Sequence, residues 1–204
     1  MSKPGFAEAL PIVCTAFGAP MIYRSVPSPT NHDDRENRSE VRDDSAAAPP
    51  WDEIERLLTD AQLYWIITVR ADGRPHAVPL VGVWHNGTFA FCTGADEQKQ
   101  RNLDANPHVA VTTGNTGRGG WHSGKDIVVE GSAERVTDSG DLQALADAWF
   151  AKYGDDWKYE VRDQEFVEVS HSGGATEGGA RVYRVRAHKA IAFGDAHGQT
   201  KYQF

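Results

Sequence analysis

Cysteine is nearly missing from this chain: Cys14 and Cys92 are the only two, at no ligand spacing, and Cys92 lies inside an apolar run. That usage gives no disulfide framework and reads as a reduced, cytoplasmic protein. Eight histidines are scattered without the spacing of a metal site, so no metal is expected. No run of about 18 apolar residues occurs, which argues against a membrane span. Basic charge is also short, with 21 Lys and Arg against 29 Asp and Glu and a net charge of −8. A phosphate-backbone binder normally shows a basic stripe, so nucleic acid is not an expected partner. The motifs GxSxG and GxGxxG are absent too.

What is present suits one domain with a tail. The 204 residues are 40% hydrophobic and include six Trp, six Tyr and eight Phe, enough for a core. Residues 1–48 read as a disordered extension, because the stretch VPSPTNHDDRENRSEVRDDSAAAPP is almost free of apolar side chains and cannot offset its ordering entropy. The mildly apolar segment 9–18 makes a poor signal peptide, and Met21 offers an alternative start. The folded domain is expected over residues 49–204.

Pro49-Pro50 followed by Trp51-Asp-Glu-Ile-Glu-Arg-Leu-Leu-Thr59 marks a helix start, with acidic residues in the first turn and an apolar stripe of Ile54, Leu57 and Leu58. Tyr64–Val69, His76–Trp84 and Thr88–Thr93 read as a three-strand meander turning at Ala71-Asp-Gly-Arg74 and His85-Asn-Gly87. A short polar helix, a strand at Val109–Thr113, the glycine-rich loop Gly114–Gly124 and a strand at Ile127–Val136 follow. Leu142, Leu145, Ala146, Trp149 and Phe150 recur at helical spacing over Asp141–Tyr153. Val182–Val185 and Ala190–Phe193 form a last pair of strands. Antiparallel strands with inserted helices make a mainly β fold of the α+β class, most economically a small β-barrel with peripheral helices.

The stretches 66-IITVRADGRPHAVPLVGVWHNGTFAFCTG-94, 99-KQRNLDANPHVAV-111 and 128-VVEGSAERV-136 resemble the pyridoxamine 5′-phosphate oxidase-like split-barrel proteins. The closer resemblance is to their actinobacterial flavin/deazaflavin oxidoreductase branch, over roughly Trp51 to Phe204. The terminal QTKYQF is also similar to the ending of that branch. The resemblance implies an antiparallel split β-barrel, a homodimer with cofactor sites at its interface, and FMN or coenzyme F420 as cofactor. It implies hydride transfer to an activated double bond of a small organic substrate. The other reading is a non-catalytic carrier of a flavin, deazaflavin or haem-like ligand. Two departures stand out. The Arg-Leu-x-Pro ending of the authentic oxidases is missing, which argues against vitamin B6 oxidation. Glu97 stands where they carry a cation two residues before the family lysine, which weakens the expectation of tight FMN phosphate binding.

The stretch 94-GADEQKQRNLDANP-107 carries the candidate anion site. At about 100° per residue, Leu103 points inward and Lys99 lies one turn earlier on the same face. A cation at the core edge needs an anion, so Lys99 is expected to meet a cofactor phosphate, although a snorkelling lysine is the plain alternative. Arg101 points nearly opposite, toward solvent, a cofactor's far end or a partner subunit. Asn102 of the same motif is counted with them. By resemblance Thr93 supplies a phosphate or ribityl contact, and the strand at Val78, Pro79 and Leu80 lines the cofactor ring. Trp121, in the glycine-rich loop, is a candidate to cap a planar ring by stacking. No residue stands out as a catalytic acid or base. Trp149, Phe150 and Trp157 are expected across the two-fold interface.

Overall fold

The computed structural model describes residues 23–27, 48–115, 124–169, 179–194 and 198–204. In chain order the elements are β1 (Tyr23–Pro27), α1 (Trp51–Asp60), β2 (Tyr64–Val69), β3 (Pro75–Leu80), β4 (Val83–His85) and β5 (Thr88–Gly94). Then come α2 (Gln98–Ala105), β6 (His108–Asn115), β7 (Lys125–Arg135) and α3 (Ser139–Tyr153). After a 3-10 turn at Gly154–Trp157 follow β8 (Tyr159–Arg162), β9 (Glu165–Glu168), β10 (Ala180–Gly194) and β11 (Gly198–Gln203). Among the described residues no helix is long and apolar enough to cross a membrane.

The strands make one sheet in the order β1-β11-β10-β7-β6-β2-β3, with β5 on the first half of β10, β4 beside β5, and the β8–β9 hairpin at the start of β10. Strand β10 is the pivot. Tyr183–Val185 pair with β5 on one side and β7 on the other. Beyond a register shift between Ala187 and Lys189, β10 keeps β7 but exchanges β5 for β11. The result is an antiparallel split barrel whose sheet does not close. The two strands expected at the C-terminal end are therefore one strand of 15 residues. Its polar middle, Arg186-Ala-His-Lys189, hides that continuity, since Arg186 and His188 are exposed on either side of Ala187 at the register shift.

The expected meander is also broken. His76–Trp84 divides at Val81–Gly82, so that β3 stays with β2 while β4 pairs with β5 across the barrel. Gly82 explains the break. A Cβ there would lie 2.5 Å from Phe89 Cζ and 2.7 Å from the Ala90 carbonyl, so only glycine lets the chain pass. Its backbone is satisfied outside any ladder: the Tyr153 hydroxyl accepts from the Gly82 N–H at 3.3 Å and donates to its carbonyl at 2.8 Å. The Asn86-Gly87 turn takes positive φ at both residues, 49° and 74°, as a tight hairpin requires. A further difference lies at Tyr23–Pro27, inside the segment expected to be disordered, which pairs in parallel with β11. Backbone bonds to an open strand edge demand no apolar side chains, so composition does not reveal them.

Two cores result. The barrel interior holds Ile54 and Leu58 of α1 with Tyr64, Ile66, Phe89, Phe91, Ile127 and Tyr202. A second cluster lies outside the barrel, where Leu142, Leu145 and Trp149 of α3 pack on Val83, Ala90 and Val182 and on Tyr159 and Phe166. Trp149 meets Phe166 edge-on at 5.6 Å and is wholly buried in its own chain. It is thus unavailable to a two-fold interface, whereas Phe150 and Trp157 are exposed at 46% and 36%.

Candidate functional site

A cavity of about 600 Å³ opens where the end of β3, the β5–α2 junction and the β8–β9 hairpin meet. One wall is the β3 edge, Pro79 and Leu80 with Val81 beyond it. A second part of the lining is aromatic, from Trp157, Tyr159 and Phe166, with Tyr159 and Phe166 stacked at 4.8 Å. Cys92, Thr93 and Gly94 of β5 line it as well, together with Glu97 and Lys99 at the start of α2. Glu168 of β9 also faces the space.

The sequence builds this end in a few residues. Strand β5 stops at Gly94, and a turn closed by the Glu97 N–H on the Gly94 carbonyl at 3.2 Å leads into α2. Glu97 sits at the N-cap of α2, but its side chain makes no cap bond; its Oε1 instead accepts from the Gly94 N–H at 2.8 Å, and its Oε2 accepts from Lys99 Nζ. Burial pushes the Glu97 carboxyl up, but the bonds from Lys99 and Gly94 outweigh it and hold it below the usual carboxylate range. Lys99 is 7% exposed, against the same side of α2 as Leu103 at 8%. Burial raises the Cys92 thiol to about 11, with the Tyr159 hydroxyl as its partner at 3.6 Å. Burial likewise raises the Tyr159 phenol, so both groups stay protonated at neutral pH.

The cavity brings together Lys99, Thr93, Pro79 and Leu80. Val78 shares its face of β3 with Leu80 and packs with it against the barrel core, and it does not line the cavity. Asn102 is buried, but its Nδ2 donates to Thr68 Oγ1 at 2.8 Å and its Oδ1 accepts from Gln98 at 2.8 Å, so it ties α2 to β2. Gln100 does the same toward Tyr183 at 2.9 Å. Leu103 is therefore one of several anchors for α2, the rest being buried amides. Arg101 is exposed, with its guanidinium donating to the Asp96 carbonyl at 2.9 Å. Trp121 lies outside the described residues. The aromatic wall escaped the sequence reading. Its signal was the alternation in Tyr159-Glu-Val-Arg-Asp-Gln-Glu-Phe166, a hairpin turning at Asp163-Gln164 with φ of 51° and 62°.

Solved structures share this architecture. The heme binding protein from Mycobacterium smegmatis superposes with a TM-score of 0.60 at 14% identity, covering 77% of this chain and 59% of that one. An FAD-binding protein from Mesorhizobium loti gives 0.53 at 20% identity, covering 71% and 92%. The heme storage protein from Vibrio cholerae gives 0.51 at 16%, covering 67% and 88%. At such identities the likeness carries the fold alone. Among curated proteins none matches the sequence. The family model for pyridoxamine 5′-phosphate oxidase matches residues 50–190, more than half of the chain, and this protein belongs to that family.

Proposed function

We propose that the cavity binds a planar flavin-type cofactor, coenzyme F420 or FMN, and that the protein is a cytoplasmic oxidoreductase. One observation carries this reading: a single cavity joins a strand edge, an aromatic wall and a buried lysine. Its volume of about 600 Å³ lies within the range of cofactor sites. When bound, the reduced ring supplies a hydride for an activated double bond of a small organic substrate. The chain's own residues hold and orient it. Pro79, Leu80, Tyr159 and Phe166 would line the ring, and Lys99, which offsets the charge of Glu97, would stand at the end that takes the cofactor's tail. Thr93 lies beside that tail. Cys92 and Tyr159, both protonated at neutral pH, do not act as bases.

A homodimer fits the same reading. Leu63 and Trp65 expose 50% and 46% on and beside β2, an apolar face that a second copy would cover. A monomer by light scattering at micromolar concentration would overturn that part.

A carrier that binds the ring without chemistry is the second reading, favoured by Glu97, whose carboxylate already neutralises Lys99. Titration with F420 and FMN, followed by fluorescence, tests the shared claim of binding. Lys99→Ala leaves the Glu97 carboxylate uncompensated beside the tail and should weaken binding by about tenfold to a hundredfold, and the exposed Arg101→Ala by much less. Unchanged affinity in Lys99→Ala would remove the lysine from the site. Absence of binding of either cofactor to the parent would sink both readings. Single turnover of the reduced complex with an activated alkene separates enzyme from carrier.

A further inference from the structure

We propose that Glu97 sets the ligand specificity of this cavity: its carboxylate occupies the anion position, so the site disfavours a ring ligand whose tail places a phosphate monoester against Lys99. The inference rests on the ring-binding reading above and sharpens which class of ligand is taken.

The donors that would hold a phosphate are already in use. Lys99 Nζ donates to Glu97 Oε2, and the Gly94 N–H donates to Oε1 at 2.8 Å. The Thr93 hydroxyl faces the same carboxylate. Both oxygens are thus engaged by donors that line the cavity, as an anionic ligand's would be. Lys99 is locked in place, its side chain 9% exposed beside Leu103, while the Glu97 side chain is 51% exposed. The lysine is the fixed half of the pair and the glutamate the half free to swing into solvent. A dianionic phosphate would have to expel Glu97 and then share the cavity with Glu168 as well. A ring with a neutral tail leaves the pair intact.

Removing the carboxylate should convert the position into an open anion site. The experiment compares the full-length parent with Glu97→Gln, Glu97→Ala, Glu97→Gln combined with Lys99→Ala, and Asp147→Asn on α3, which changes net charge equally but lies outside the cavity. Inorganic phosphate is titrated into each by calorimetry and by shift of the thermal midpoint, after unfolding curves establish that each is folded. Phosphate should bind saturably to Glu97→Gln and Glu97→Ala, at least about tenfold more tightly than to the parent, to the double variant or to Asp147→Asn. Riboflavin and FMN form the second arm. The parent should bind the two alike or prefer riboflavin, whereas Glu97→Gln should gain about tenfold for FMN alone. Equal phosphate affinity in the parent and both Glu97 variants would overturn the assignment, as would an equal gain in Asp147→Asn. Phosphate capture by Glu97→Gln with no riboflavin binding in any variant would uphold Glu97 as the occupant and overturn the ring-binding reading instead.

Discussion

Strands β5 and β2 look alike in sequence and end differently. Thr88-Phe-Ala-Phe-Cys-Thr93 and Tyr64-Trp-Ile-Ile-Thr-Val69 are both dense in aromatic and β-branched residues. In β5 three successive residues, Phe89, Ala90 and Phe91, are wholly buried, because the barrel interior takes one face and the α3 cluster takes the other. In β2 burial alternates: Tyr64, Ile66 and Thr68 point inward, while Trp65 stays 46% exposed. A dense apolar run therefore states that two faces can be buried, and the placement of a helix decides whether both are.

The largest test of that contrast sets Trp149 against Trp65. Trp149→Ala empties the second core and should cost about 3–5 kcal/mol in denaturant unfolding. Trp65→Ala should stay within about 0.5 kcal/mol at low protein concentration. Equal costs would break the comparison. A Trp65→Ala cost that grows with protein concentration would sharpen it, by showing that another copy covers β2.

The next test lies where the two regions part. Gly82→Ala forces a methyl against Phe89 and the Ala90 carbonyl and should cost about 1–3 kcal/mol. It should also weaken ligand binding, since Val81 beside it lines the cavity. A variant that melts like its parent would mean that the chain can take another path there.

The smallest expected effect concerns Lys152 of α3, whose Nζ donates to Tyr64 Oη at 2.8 Å and to the Gly82 carbonyl at 3.3 Å. Burial pulls it down to about 8 from the ordinary 10.5, so the folded state binds this proton less tightly than the unfolded one. The penalty is fully present below about 8 and is relieved as pH rises from there toward 10.5. Solvent screening of this partly exposed amine should hold the gain to about 1 kcal/mol. Denaturation of the parent and of Lys152→Met from pH 7 to about 9.5, below the tyrosine range, should show the parent gaining on the variant. Parallel curves would refute the shift.

Much of the fold was readable because its signals are local. The stripe of α1, the spacing in α3 and the Asn86-Gly87 turn each report a preference that the tertiary structure keeps. The misses share a cause. Gly82 reads as one residue in a strand until Phe89 is seen against it, and the length of β10 is masked by polar residues at its register shift. At the candidate site, Lys99 and Leu103 were placed on one face by helical geometry alone, and both are buried. Asn102 lies in the same motif, but its hydrogen bond to Thr68 joins residues 34 apart, which no spacing rule reports.

By itself, then, the sequence determined most element types, the inward faces of α1 and α3, and a lysine held against apolar surface, because periodicity and turn chemistry act over a few residues. Only the tertiary structure decided which strands pair, which apolar faces receive a helix, and that Tyr159, Phe166 and Pro79 line one cavity. It also decided that the buried lysine meets a carboxylate of its own chain. Those outcomes depend on contacts between distant segments, whose energies local patterns do not encode.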